Sequence, residues 1–89
     1  MKITPAIIAN IHKGKAFSSI TDLNLSGKNI EEIDDISSLI DLKKLNLSKN
    51  EISNLDGISF NRDITWLDVS NNKLETTIHI KKLIKLTGN

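Results

Sequence analysis

Leu42-Lys43-Lys44-Leu45-Asn46-Leu47-Ser48-Lys49-Asn50-Glu51-Ile52 is the stretch that decides the fold of this 89-residue chain. Its opening phrase occurs three times. Ile20-Thr21-Asp22-Leu23-Asn24-Leu25 precedes it and Ile64-Thr65-Trp66-Leu67-Asp68-Val69 follows it, and the starts at Ile20, Leu42 and Ile64 are evenly spaced. If each repeat is numbered from its first apolar residue, positions 1, 4, 6, 11, 14, 17 and 20 are due to be apolar. Nineteen of those twenty-one places comply. The exceptions are Asn61 in the second repeat and Thr77 in the third. A fixed period of this length marks units that cannot bury their apolar faces alone and must stack on one another.

Within each opening phrase the side chains alternate, as on a strand. Leu23/Leu25, Leu45/Leu47 and Leu67/Val69 therefore point inward, and the residues between them point outward. The later apolar positions, near every third residue, suit a turn or short helix on the opposite side. Position 9 is Asn50 and Asn72 in the second and third repeats, and Lys28 in the first. A buried Asn there can satisfy backbone groups of adjacent repeats that a sharp turn leaves unpaired. In the second repeat Phe60 stands one place before Asn61. Either Phe60 rotates inward to fill that apolar layer, which is the expected arrangement, or it remains exposed.

The outward columns supply the candidate binding residues. Position 3 reads Asp22, Lys44, Trp66; position 5 reads Asn24, Asn46, Asp68; position 8 includes Lys49 and Asn71. Trp66 is the single tryptophan of the chain and falls in a column that faces solvent. An exposed Trp on a polar strand face has the character of an interface anchor. The competing reading is a structural ring, covered by the C-terminal segment or lying against Lys44. Asp68 is placed to offer a partner a charged hydrogen bond.

At the N-terminus, Thr4 suits a helix N-cap, Pro5 the first helical position and Gly14 the stop. Ile7, Ile8 and Ile11 form an apolar stripe expected to lie on Ile20, Leu23 and Leu25, with Ile3 stapled onto Ile8 and Phe17 filling the junction. At the C-terminus, Ile80, Leu83, Ile84 and Leu86 have helical spacing. They read either as a capping helix or as part of the third repeat, and an uncapped end there offers a self-association surface.

The segment from Leu42 to Ile58 resembles the short class of leucine-rich repeats. That class includes the leucine-rich regulatory subunit of protein phosphatase 1, the axonemal dynein leucine-rich light chain, the spliceosomal A-prime protein and bacterial internalins. The opening Met1 to Ile8, followed by Leu23 to Ile30, is similar to the start of the spliceosomal protein and of ciliary assembly factors. The resemblance spans residues 2–86 and implies an α/β fold: a right-handed solenoid with a short parallel sheet on its concave side and a helical N-terminal cap. The expected organisation is one domain, with the cap at 1–19, repeats at 20–41, 42–63 and 64–85, and a partial repeat or C-terminal end at 86–89. It also implies a protein-binding role without enzymatic activity. Scaffolding and occlusion of an enzyme's active site both remain open, and so does a part in an RNA–protein complex.

Composition narrows the classes further. The chain has no cysteine, a net charge of +1 and no apolar run long enough to span a bilayer. Near-neutral charge argues against nucleic acid. Asn10 and His12 interrupt the N-terminal apolar stretch, so no secretory leader is expected. A cytoplasmic location is, and the abundance of Ile, Lys and Asn leaves open delivery into a host cytosol. Charge is segregated, at +3 over residues 1–19, −4 over 20–63 and +2 over 64–89. His12 and His79 are the two histidines, and nothing in the sequence joins them to a serine and an acid as a triad. Gly27-Lys28 lacks the rest of a phosphate loop. The acidic run Glu31, Glu32, Asp34, Asp35 is interleaved with core positions and reads as a solvated edge. No cofactor or metal is expected.

Overall fold

The computed structural model describes residues 1–74 of the chain. Its elements in order are β1 (Lys2–Ile3), α1 (Pro5–Ile11), β2 (Asp22–Asn24), β3 (Glu32–Ile33), β4 (Lys44–Asn46) and β5 (Trp66–Asp68). Single 3-10 turns lie at Phe17–Ser19 and Asp56–Ile58. The expectations about Thr77, His79 and the stretch from Ile80 to Leu86 fall outside the described residues.

The repeat sets the register of the main sheet. β2, β4 and β5 pair in parallel in that order, and each residue meets its counterpart at the same position of the next repeat. Asp22, Lys44 and Trp66 form one row across the sheet, Leu23, Leu45 and Leu67 the next, and Asn24, Asn46 and Asp68 the third. A slip of one residue would turn the leucine row to solvent, so burial of that row specifies the register. The inward columns are buried: Leu23, Leu45 and Leu67; Leu25 and Leu47; Ile30 and Ile52; Ile33 and Leu55; Ile36 and Ile58. Val69 and Leu74 pack partly buried against the same core.

A second, two-stranded sheet was not legible in the sequence. β1 pairs in parallel with β3, Lys2 opposite Glu32 and Ile3 opposite Ile33. The backbone of Glu31 donates to Met1 O at 2.8 Å and that of Asp34 to Ile3 O at 2.8 Å. Ile3 is consequently fully buried in the core that also holds Ile8. The pairing explains part of the acidic run: Glu31 lies 3.9 Å from the N-terminal ammonium and Glu32 lies 4.0 Å from Lys2 Nζ. Both pairs are exposed and contribute little stability by themselves. Where a turn or short helix was expected, at Glu32 and Ile33, the chain is extended, because the N-terminal strand supplies it with a hydrogen-bonding partner.

Helix α1 begins as anticipated. Thr4 Oγ1 accepts from Ile7 N at 3.3 Å and Pro5 opens the first turn. It ends earlier than Gly14, with His12 as its C-cap, whose backbone N–H donates to Ile8 O. Gly14 sits in the following turn at φ 81°. Ile8 is buried and Ile7 partly so, but Ile11 is exposed, which corrects the expected three-residue stripe. Ile11 is the last residue of the helix, and its side chain stays in solvent. Phe17 packs partly buried against the core.

The Phe60 expectation is overturned. Phe60 is 67% exposed, whereas Asn61 is 5% exposed. Asn61 Nδ2 donates to Ile36 O at 3.0 Å and Leu39 O at 3.3 Å. Those carbonyls close the last turn of the first repeat by accepting from Leu39 N and Leu42 N, and Asn61 gives each a second donor, which a phenyl ring cannot provide.

Candidate protein-binding face

Each strand leads into the same turn, and position 5 builds it. Asn24 Oδ1 accepts from Ser26 N at 3.1 Å; Asn46 Oδ1 accepts from Ser48 N at 3.0 Å and Ser48 Oγ at 2.7 Å. Asp68 Oδ1 does the same for Ser70 N at 3.0 Å and Ser70 Oγ at 2.7 Å. A short polar side chain that bonds the backbone two residues on is the mechanism of an Asx turn. Directly after each of these serines the chain must be returned to the core. To do so, position 8 takes the left-handed conformation in all three repeats: Gly27 at φ 65°, Lys49 at 58° and Asn71 at 58°.

The position-9 asparagines then lock neighbouring repeats together, as anticipated. Asn50 Oδ1 accepts from Lys28 N and Ile30 N, while its Nδ2 faces Leu25 O, Leu47 O and Ser48 O, all within 2.9–3.1 Å. Asn72 accepts from Ile52 N and donates toward Leu47 O, Val69 O and Ser70 O.

On the outward face of this frame lies an open groove of about 640 Å³, lined by His12, Asp22, Leu23, Asn24, Lys44, Asn46 and Trp66. Five of the eight residues singled out from the sequence are thereby gathered in one place. Trp66 is half-buried at one end of its row, and Asp22 and Lys44 are exposed. Asp68 stands in register with Asn46 at the end of β5, next to the groove. Lys49 and Asn71 are in the left-handed turns beyond the strands and do not line the groove. His12 and Leu23 are the lining residues that sequence reasoning missed. Leu23 belongs to the buried inward row, and His12, the C-cap of α1, joins the groove through the placement of the helix end, which has no periodic signal.

The carboxyl of Asp68 is tuned by the turn it builds. The backbone N–H and hydroxyl of Ser70 hold its carboxyl below the ordinary value of 3.8, with a further contribution from the Lys49 charge. A carboxyl whose folded pKa is depressed contributes stability that is present above its unfolded pKa and is lost as pH falls through the folded one. Because Asn24 and Asn46 build the same turn without a charge, Asp68→Asn is expected to leave stability near neutral pH within about 0.5 kcal/mol of wild type. The variant should flatten the decline below pH 3.8. Urea titrations across acid pH check this, and an unchanged acid limb would assign that decline to other carboxyls.

Repeated strands in register, an Asx turn, a left-handed residue and a buried Asn, all at one period, describe a sequence family as well as a shape. Residues 41–62 and 63–86 match the Leucine Rich Repeat family, which together is more than half of the chain. The chain belongs to the leucine-rich repeat family. None of the curated proteins compared with it matches. Leucine-rich repeats are generally protein–protein interaction modules and typically not enzymes. In this leucine-rich repeat chain the groove is open and mixes polar with apolar lining, and no three His, Cys, Asp or Glu side chains gather as a metal site among the described residues.

Proposed function

We propose that the chain is a protein-binding module that grips its partner through the outward strand face, with Trp66 as the anchor. The observation that carries this reading is the groove itself. Asp22, Lys44 and Trp66, one from each repeat, share a single row, and that row lines an open concavity with Asn24, Asn46 and His12. An aromatic ring, a cation and an anion on a rigid sheet combine apolar contact area with fixed polar positions, which is how interface hot spots are built. Position 5 serves mainly to shape the turn, so Asn46 and Asp68 support the face more than they reach from it.

Around that face we read a right-handed solenoid, with the strand side concave and α1 capping the first repeat. The burial of Ile8 and Ile3 against the repeat core supports the cap. We read residues 1–19 as the cap and 20–41, 42–63 and 64–85 as the repeats, acting in a cytosol.

Trp66→Ala is expected to weaken partner binding by roughly 30-fold, the loss of an anchor worth about 2 kcal/mol. The half-buried ring leaves the leucine row intact, so the fold should persist. Affinity capture from lysate with mass spectrometry, wild type beside variant, identifies the partner, and titration of the purified pair measures the loss. Undiminished binding by a folded Trp66→Ala variant would remove the anchor from this face.

A further inference from the structure

The groove lies on a face whose charges are unevenly available, and this points to the chemistry of its partner. Lys43, Lys44 and Lys49 all belong to the second repeat, and Lys43 and Lys44 are exposed. The ion pairs among the described residues are Met1–Glu31, Lys2–Glu32 and Lys73–Glu51, so no carboxylate among them neutralises Lys43 or Lys44. The two acids of the face are less equal. Asp68 is committed to Ser70 and faces the Lys49 charge, and Asp22 stands one strand away from Lys44. On the other side of Lys44, also one strand away, is the half-buried ring of Trp66. Adjacent strands are about 4.8 Å apart, so the row offers an anion, a cation and an aromatic surface at successive steps of that size.

We infer that the occupant of the groove is a short segment of another protein bearing an acidic side chain beside an apolar one. The carboxylate would meet Lys44 and the apolar group would lie on Trp66. This rests on the strand-face reading above and adds the class of ligand. Discrete side chains suit the row because a segment can place a neutral or basic residue opposite Asp22. A nucleic-acid strand cannot, since its phosphates recur at every step and would meet both Asp22 and Asp68. A second copy of this chain, which carries the exposed neighbours Ile40 and Asp41, is the competing occupant, and concentration-dependent self-association of the full chain that Lys44→Glu abolishes would overturn the inference.

The test uses defined probes. A short, end-capped, fluorescein-labelled peptide repeating Asp-Phe-Gly is titrated with the full chain and followed by anisotropy. A Lys-Phe-Gly peptide and labelled oligouridylate run alongside. The expected result is saturable binding of the acidic peptide, weaker in high salt, and at least about tenfold weaker with Lys44→Glu. Lys44→Glu, a change at an exposed side chain, should instead shift preference toward the lysine peptide. Circular dichroism verifies that the variant is folded. The inference is overturned if the acidic peptide does not saturate, if both peptides bind wild type alike, if Lys44→Glu leaves the preference unchanged, or if oligouridylate binds in its place. The broader reading fails separately. A natural partner lost with Trp66→Ala but held equally by Lys44→Glu would keep the strand face and discard the acidic ligand.

Discussion

Asn50→Ala is expected to lower unfolding stability by about 3–5 kcal/mol, because the side chain it removes satisfies three backbone groups that have no other partner among the described residues. Asn50 is buried and makes five hydrogen bonds. Two of the acceptors keep a second donor: Leu47 O retains Asn72 Nδ2, and Ser48 O retains Gly27 N. Lys28 N, Ile30 N and Leu25 O are left without one, and an orphaned buried backbone group costs about 1–3 kcal/mol. Water reaches the exposed Lys28 more readily than Ile30, which keeps the total below the simple sum. Folded domains rest on about 5–15 kcal/mol, and one of this size lies toward the lower end, so the variant stands close to unfolding. Asn72→Ala makes the internal comparison. It orphans Ile52 N and Val69 O at a less buried site and should cost visibly less. Urea unfolding of the three proteins measures the difference. An Asn50→Ala loss under about 1 kcal/mol would mean that the turns hold together without the ladder.

That ladder was legible in the sequence because it obeys the period, and the same holds for everything that repeats. The leucine row, the strand register and the outward columns follow from residues that recur at the repeat spacing. Features made once were not legible. β1 is only Lys2–Ile3 and pairs with Glu32–Ile33, far along the chain, so it leaves no alternation to detect. His12 joins the groove through the placement of a helix end. Phe60 and Asn61 reversed the simplest expectation: the buried Asn61 adds a second donor to Ile36 O and Leu39 O, which no apolar side chain could do. The solution is incomplete even so: Asn61 Oδ1 is buried with no hydrogen-bond partner among the described residues. In the candidate site the period placed Asp22, Lys44 and Trp66 in one row. It did not reveal that the position-5 oxygens are already spent on the turns. Asn-Leu-Ser, Asn-Leu-Ser and Asp-Val-Ser, at 24–26, 46–48 and 68–70, carried that signal.

Two glycines that look alike in sequence separate by mechanism, and Gly57→Ala is the change expected to disturb packing most. Gly57 belongs to the 3-10 turn of the second repeat, where its carbonyl accepts from Ile36 N at 3.2 Å. A methyl group on its Cα would run into the carbonyl oxygen of Ile33, and would lie 2.6 Å from Asp34 O and 2.8 Å from Ile33 C. All three are backbone atoms in or next to β3, itself held by β1, so no rotamer change relieves the contact. Relief requires the second repeat to lift from the first, loosening Ile33, Ile36, Leu55 and Ile58 together. Overpacking of a rigid core costs about 1–3 kcal/mol, and a purely backbone clash belongs at the upper end. Gly27→Ala provides the contrast. A methyl group there meets nothing within 4 Å, and the cost is that of holding φ 65° with a side chain, about 1 kcal/mol. Lys49 and Asn71 already bear that conformation at the same place in the later repeats. Gly57→Ala should therefore melt well below Gly27→Ala, and Gly27→Asn should melt nearest to wild type. Thermal unfolding followed by circular dichroism ranks the three, and a Gly57→Ala variant as stable as Gly27→Ala would show that the two repeats can part at β3 without cost.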